Sequence, residues 1–242
     1  MSEYAIEVKD LCIQYKGIKA FSIKKNLFSK NKPKAEVVQA VKNISFQIEK
    51  GEILGIVGKN GSGKSTMLRA IAGIFSPNSG TVDLHGNSVA LLAIGVGFQK
   101  ELSGRENILL SGMLLGFSEE QVRERMDEII EFSELGKFID APVRTYSSGM
   151  YSKLAFSITA ILESDIILID EVLSVGDVRF RKKSYAKMQE LISDKNRTVL
   201  IVSHDTKTLA KLCTKVLWIN DGEFVKFGEA TEVLAEYETF MT

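Results

Sequence analysis

The stretch GKNGSGKST, Gly58 to Thr66, has residue types and spacing suited to holding a polyphosphate. It fits G-x-x-x-x-G-K-[ST], directly after an apolar run and before a helix-forming one. Gly58, Gly61 and Gly63 let the backbone curl so that successive N–H groups face phosphate oxygens. Lys64 is placed to reach the β- and γ-phosphates of a nucleotide and the Ser65 hydroxyl to ligate Mg²⁺, while Lys59, Asn60, Ser62 and Thr66 complete the loop. A glycine-rich turn with an incidental lysine would leave Lys-Ser-Thr at a helix start unexplained. In IILIDE, Asp170 ends an apolar strand, where its carboxylate can hold the metal through water. Glu171, one residue further, can orient and deprotonate a water for in-line attack on the γ-phosphate. His204 follows TVLIVS at the sheet edge where open α/β folds collect ligands, so it can contact the γ-phosphate. His85, in DLHGN, has no such address and reads as a turn residue.

A second anion site is written in RTYSSGMYSKLAF, Arg144 to Phe156. Small residues there open an apolar-periodic helix, whose first N–H groups and dipole favour negative charge. One nucleotide does not need two such sites on one chain.

The elements that position these residues alternate. AIEVKDLCIQY and VVQAVKNISFQIEK read as half-exposed strands, with a turn at Lys50-Gly51. Between Leu11 and Ala35 lie seven lysines and no acid, a basic insertion that is either a solvated loop or a contact for lipid headgroups or a membrane partner. The run from Ile53 to Val57 is continuously apolar, as in a buried parallel strand. A helix follows over Lys64 to Ala72, then a turn at SPNSG and β-like sequence through Val96. Ser103 (SGRE) and Ser118 (SEEQ) open capping boxes, and the second is expected to start one helix with Val122, Met126, Ile129 and Ile130 in a stripe. DIILIDE and TVLIVSH are two more buried strands, separated by a basic amphipathic helix around Phe180 to Ile192. VLWINDGEFVKFG is a hairpin turning at Asn220-Asp221-Gly222, and a short helix closes the chain. The pattern predicts an α/β protein with a mainly parallel sheet and a helical insertion from about Ser103 to Leu162.

With 242 residues, 45% of them hydrophobic, the chain can build a real core. Lys plus Arg and Asp plus Glu are 31 each, so no global field draws it to nucleic acid or an anionic membrane. Cys12 and Cys213 form no metal or redox spacing and are assigned to packing in a reducing compartment. The N-terminus has no secretory pattern. The longest stretch free of ionisable groups, Gly86 to Gln99, is too short for a bilayer that needs about 20 apolar residues. Work at a membrane would require another chain to do the crossing.

The order phosphate loop, Gln99, YSSGM, IILIDE, SVGD, His204 resembles the ATP-binding subunit of an ABC transporter over nearly the whole chain. GVGFQKELSGRENI, ELGKFIDAPVRTYSSGM and IDEVLSVGDVRF resemble, more narrowly, subunits that export O-antigen, capsule or teichoic acid. The resemblance implies a P-loop NTPase fold with a RecA-like parallel core, an antiparallel β subdomain and a helical subdomain at about 103–162, all in one domain over 1–242. It implies ATP and Mg²⁺ as ligands and a homodimer that sandwiches two nucleotides. In that dimer Ser147, Ser148, Gly149 and Met150 would close over ATP on the partner's phosphate loop. Asp177 would communicate across the interface, and Gln99 would sense Mg²⁺ or the attacking water while leading toward the membrane subunit. Tyr15 is the candidate to stack on adenine. The common family signature Leu-Ser-Gly-Gly-Gln is altered at Tyr146, Ser148 and Met150, a form usual in polysaccharide exporters; Ser147 and Gly149 are kept.

The expected activity is therefore ATP hydrolysis powering glycan export through a multi-spanning permease, at the cytoplasmic face of the inner membrane. The permease would meet the cargo, and nucleic acid would not be a partner. No extra C-terminal carbohydrate-binding domain is expected after the last helix. The rivals are a soluble ATPase of the same superfamily acting on DNA or ribosomes, which would need long heptad insertions or two cassettes, and a small-molecule kinase, which would leave YSSGM and Gln99 without a role. A third, a nucleotide-binding regulatory module, conflicts with Glu171. The residues alone leave the cargo and the direction of transport open.

Overall fold

The computed structural model describes residues 3–17, 36–92, 95, 97–170 and 176–242. Most of the lysine-rich insertion, Glu171 and the first two residues of SVGD therefore lie outside the described residues. In chain order come β1 (Tyr4–Gly17), β2 (Glu36–Glu49), β3 (Ile53–Val57), α1 (Lys64–Ile71), β4 (Ser79–Asp83) and β5 (Val89–Leu91). A helical segment follows: α2 (Gly104–Leu114), α3 (Glu119–Glu124), α4 (Met126–Ser133), two 3₁₀ turns, and α5 (Ser148–Ile161). Then come β6 (Ile166–Asp170), α6 (Val178–Ser193), β7 (Thr198–Val202), α7 (Thr206–Leu212), β8 (Lys215–Asn220), β9 (Glu223–Glu229) and α8 (Ala230–Met241).

Two sheets result. The larger has the order β5-β6-β7-β3-β8-β9 and is parallel except for β9. The smaller is antiparallel, in the order β2-β1-β4. The central strands are apolar throughout because both their faces are covered. Leu54, Ile56, Leu168, Leu200, Val202 and Leu217 face one core, which they share with α1 and the antiparallel sheet. Val57, Ile167, Ile169, Val199, Ile201 and Trp218 face a second core shared with α5, α6 and α8. Helix α1 is thus packed between the sheets, which fixes the loop that precedes it.

The helical segment has its own core of Ile108, Val122, Met126, Ile129, Leu154 and Ile158. Both capping boxes form, at Ser103 and Ser118. The single helix expected after Ser118 is two: the ladder breaks at Arg125, whose backbone relaxes to φ −95°, ψ −2°. The stripe survives because the Arg125 carbonyl still accepts the Ile129 N–H at 3.0 Å. Of the β-like sequence expected through Val96, Ser79–Asp83 and Val89–Leu91 form strands and Leu92 is already in a turn; residues 93, 94 and 96 lie outside the described residues.

The hairpin turns as expected, with Asp221 and Gly222 both at positive φ, 49° and 80°, the signature of a tight turn matched to strand twist. Gly222 also connects three elements. Its N–H donates to Ser62 O at 3.1 Å in the phosphate loop, and its carbonyl accepts the Lys42 N–H at 2.7 Å from β2. Both cysteines pack: Cys213 is buried, which pushes its thiol up to about 12, and Cys12 Sγ accepts the Asn43 N–H at 3.2 Å. His85 sits in a turn at φ 50°, with its N–H donating to Asp83 Oδ1 at 2.7 Å.

Candidate active site

The phosphate loop runs from the end of β3 into α1, where the helix start has no side-chain cap and no acidic residue in its first turn. Its N–H groups are therefore available to an anion. Gly63 holds the loop at φ 97°, where a Cβ would collide with the Ala40 carbonyl oxygen, so glycine is required there by both backbone and space. Lys64 is 5% exposed, and its ammonium donates to Gly58 O at 2.8 Å and Lys59 O at 2.9 Å. The loop folds back on its own lysine and presents a concentrated positive charge. Asn60 to Thr66, with Tyr15 and Ala40, wall a recess of about 330 Å³. Tyr15 directs its hydroxyl at Thr66 Oγ1, 3.4 Å away, and its ring edge meets Phe75 at 6.3 Å.

The strand order brings the remaining groups to the same edge. Asp170 pairs in register with Val202, and Val202 with Ile56, so the ends of β6, β7 and β3 lie side by side. Ser65 Oγ donates to Asp170 Oδ1 at 2.7 Å. A hydroxyl and a carboxylate oxygen so placed are a hard-oxygen donor pair that suits Mg²⁺. His204 emerges two residues past β7 on this edge and is exposed. Gln99 is not brought onto the Ser65–Asp170 pair: its amide donates to Gly97 O at 3.5 Å. Its backbone is held instead. Asn107, fully buried on α2, accepts the Gln99 N–H at 2.7 Å and donates to Gln99 O at 3.0 Å.

The second anion site is a separate recess of about 370 Å³ that shares no residue with the first. Ser147 caps α5 by accepting the Met150 N–H at 3.2 Å, and Ser147, Gly149 and Met150 line the recess together with Asp177. Ser148, the first residue of α5, is exposed beside them. A Cβ on Gly149 would meet nothing nearer than Ser147 Oγ, at 3.8 Å. Nothing among the described residues of this chain, then, demands a glycine there.

Asp177 has two jobs within the chain. Its Oδ1 accepts the Arg179 and Phe180 N–H groups, each at 3.0 Å, and so caps α6; its Oδ2 accepts Lys153 Nζ at 2.7 Å. The lysine contact and the cap hold the carboxyl at about 2. Lys153 also lies 3.7 Å from Glu134 and 5.0 Å from the Phe180 ring centre. Lys153, Glu134 and Asn107 escape sequence reasoning. The only available signals were a lone lysine six residues after the Ser147 cap, in an otherwise apolar helix, and an asparagine inside a leucine-rich one.

A family model described as ABC transporter matches residues 41–174. The chain is 49% identical over 203 residues to an O-antigen export system ATP-binding protein of Myxococcus xanthus, covering 84% of this chain and 46% of that protein. It is 46% identical over 217 residues to a teichoic acids export ATP-binding protein of Lactococcus lactis, covering 90% and 46%. A Klebsiella pneumoniae O-antigen export system ATP-binding protein is 45% identical over 202 residues, covering 84% of this chain and 82% of its own length. The chain thus spans less than half the length of the first two relatives. Among solved structures, an ATP-binding subunit of an ABC transporter superposes with TM-score 0.70 at 20% identity, covering 97% of this chain and 93% of that one. A dimeric post-hydrolysis ATP-binding cassette with ADP and Pi gives TM-score 0.66 at 22% identity, covering 93% and 98%. These likenesses fix the fold as that of the P-loop ATP-binding cassette.

Proposed function

We propose that this chain, which belongs to the ABC transporter family, hydrolyses ATP as one of two copies and thereby powers export of a polysaccharide or lipid-linked glycan through a membrane permease. The observation that carries the reading is the pair of separate recesses, one rich in phosphate-binding donors and the other opening on a glycine that its own chain does not need. Two copies facing head to tail would complete each recess with the other. Ser147 and Gly149 would then approach the nucleotide held by the partner's phosphate loop, with the α5 dipole toward its γ-phosphate.

In each composite site Lys64 would leave its two carbonyls for the β- and γ-phosphate oxygens. Ser65 and Asp170 would hold Mg²⁺, which supplies charge neutralisation across the phosphates. Glu171 takes the proton of a water whose oxygen bonds to the γ-phosphorus as the bond to the β-phosphate oxygen breaks, giving ADP and phosphate. His204 contacts the γ-phosphate, and Tyr15 packs on the base. No helix among the described residues is long and apolar enough to cross a membrane, which fits a subunit docked on a membrane-spanning partner. The glycan cargo is supported by the relatives, which serve O-antigen and teichoic acid export.

The test is Glu171→Gln with ATP and Mg²⁺. Light scattering should give twice the chain mass of 26.8 kDa, and steady-state phosphate release should fall by about 10²-fold or more, the scale of a lost general base. A variant that stays monomeric and turns over at the native rate overturns the composite site. Reconstituted with its permease, the native chain should hydrolyse ATP faster when a lipid-linked glycan is supplied; an unchanged rate removes the cargo assignment.

A further inference from the structure

The phosphate loop is gripped from outside its recess by the last helix. The Lys59 ammonium does not face the nucleotide recess, which is walled from Asn60 onward; it sits 4.5 Å over the ring centre of Phe240 on α8. Phe240 lies against Trp218, centroids 5.1 Å apart, and Trp218 meets Tyr237 edge-on at 5.6 Å. Trp218 is in register with Val57, the last residue of β3 before the loop. Tyr237 is buried. Helix α8 therefore reaches the entry of the loop in two ways, through Trp218 beside Val57 and through Phe240 under Lys59. The Lys59 carbonyl, together with that of Gly58, carries the Lys64 ammonium, at 2.9 and 2.8 Å.

We propose that Phe240 is a positioning residue for nucleotide binding, through which α8 fixes the entry of the phosphate loop and with it the presentation of Lys64. A loop whose entry is anchored has less freedom to lose when the nucleotide arrives, so anchoring raises affinity without touching the ligand. The Phe240 contact acts through the face of its ring, because a cation is drawn to the negative face of an aromatic and not to an aliphatic side chain of similar bulk. The inference rests on the reading of the loop as an ATP site.

The experiment is equilibrium titration of the full chain with a fluorescent ATP analogue, together with steady-state hydrolysis. Phe240→Leu, which keeps apolar bulk, should weaken binding roughly 3- to 5-fold, the size expected for an exposed cation over a ring. Its turnover at saturating ATP should stay within about twofold of native, a split between KM and kcat that a general loss of structure would not produce. Phe240→Tyr should bind like the native chain. Lys59→Met should weaken binding by the same factor as Phe240→Leu, and the double variant should bind no more weakly than either single one, because both remove the same contact. Emission of Trp218, the sole tryptophan, should respond to nucleotide in the native chain and respond less in Phe240→Leu. Equal affinities in native and Phe240→Leu, or additive losses in the double variant, overturn the proposal. A native chain that binds no ATP analogue overturns the loop reading instead.

Discussion

Ser65 Oγ and Asp170 Oδ1 are joined at 2.7 Å although β3, which leads through the phosphate loop into Ser65 on α1, and β6, which ends at Asp170, are not neighbours: β7 runs between them. The bond reaches across the end of the intervening strand, and it is possible because β7 is in register with both. Ser65→Ala and Asp170→Asn should each raise the Mg²⁺ concentration for half-maximal phosphate release by at least about 10-fold. Titration of activity with Mg²⁺ at fixed ATP checks this, and an unshifted midpoint would remove the pair from the metal site.

Two glycines with the same motif-level importance should behave oppositely. Gly63→Ala forces a Cβ into the Ala40 carbonyl at φ 97° and should cost about 1–3 kcal/mol of stability. Gly149→Ala has helical backbone and open space, so its unfolding midpoint should match native. Its turnover should nevertheless fall by about 10²-fold, the usual penalty for displacing a reacting group by about an ångström. Paired urea melts and phosphate-release assays separate the two outcomes.

Lys153→Met should release Asp177 from its depressed ionisation. The native carboxyl titrates at about 2 against an ordinary 3.8, because Lys153 and the α6 N–H groups favour the charged form. The sign follows: the stabilising contribution is complete above the unfolded value and disappears as pH falls through about 2. Carboxyl carbon shifts in an NMR titration should move the midpoint upward in the variant, and an unmoved midpoint would leave the α6 cap as its sole cause.

Phe132, Phe156 and Phe180 come from α4, α5 and α6 and meet with ring centres 5.9–6.2 Å apart. They join the helical segment to the main sheet. Phe156 is fully buried, so Phe156→Ala should cost about 3–5 kcal/mol in denaturant unfolding.

What could be read from the sequence was whatever depends on neighbours along the chain. Val199 and Leu200 announce a buried strand because each has a covered face, and Ser103 with Glu106 announces a helix start because the cap is local. The phosphate loop belongs to this class, since its glycines and Lys64 act within a few residues of each other. Contacts between distant segments were not legible. Nothing in the spelling of α8 says that Phe240 meets Lys59, or that Lys153 chooses Asp177, because those meetings depend on how the layers stack. The break at Arg125 was hidden for a different reason: the apolar stripe continues through it, and periodicity does not register a single lost hydrogen bond.

The turn at Asp221-Gly222 looks, by position, like the obvious place to graft a tag or a reporter domain. It is a poor one. Because Gly222 answers to the ligand loop with one hydrogen bond and to the outer sheet with another, a graft there would unseat both at once. The same economy makes this turn a sensitive place to watch: an isotope label on the Gly222 amide would sense, in one resonance, any tilt of the small sheet against the large one as nucleotide comes and goes.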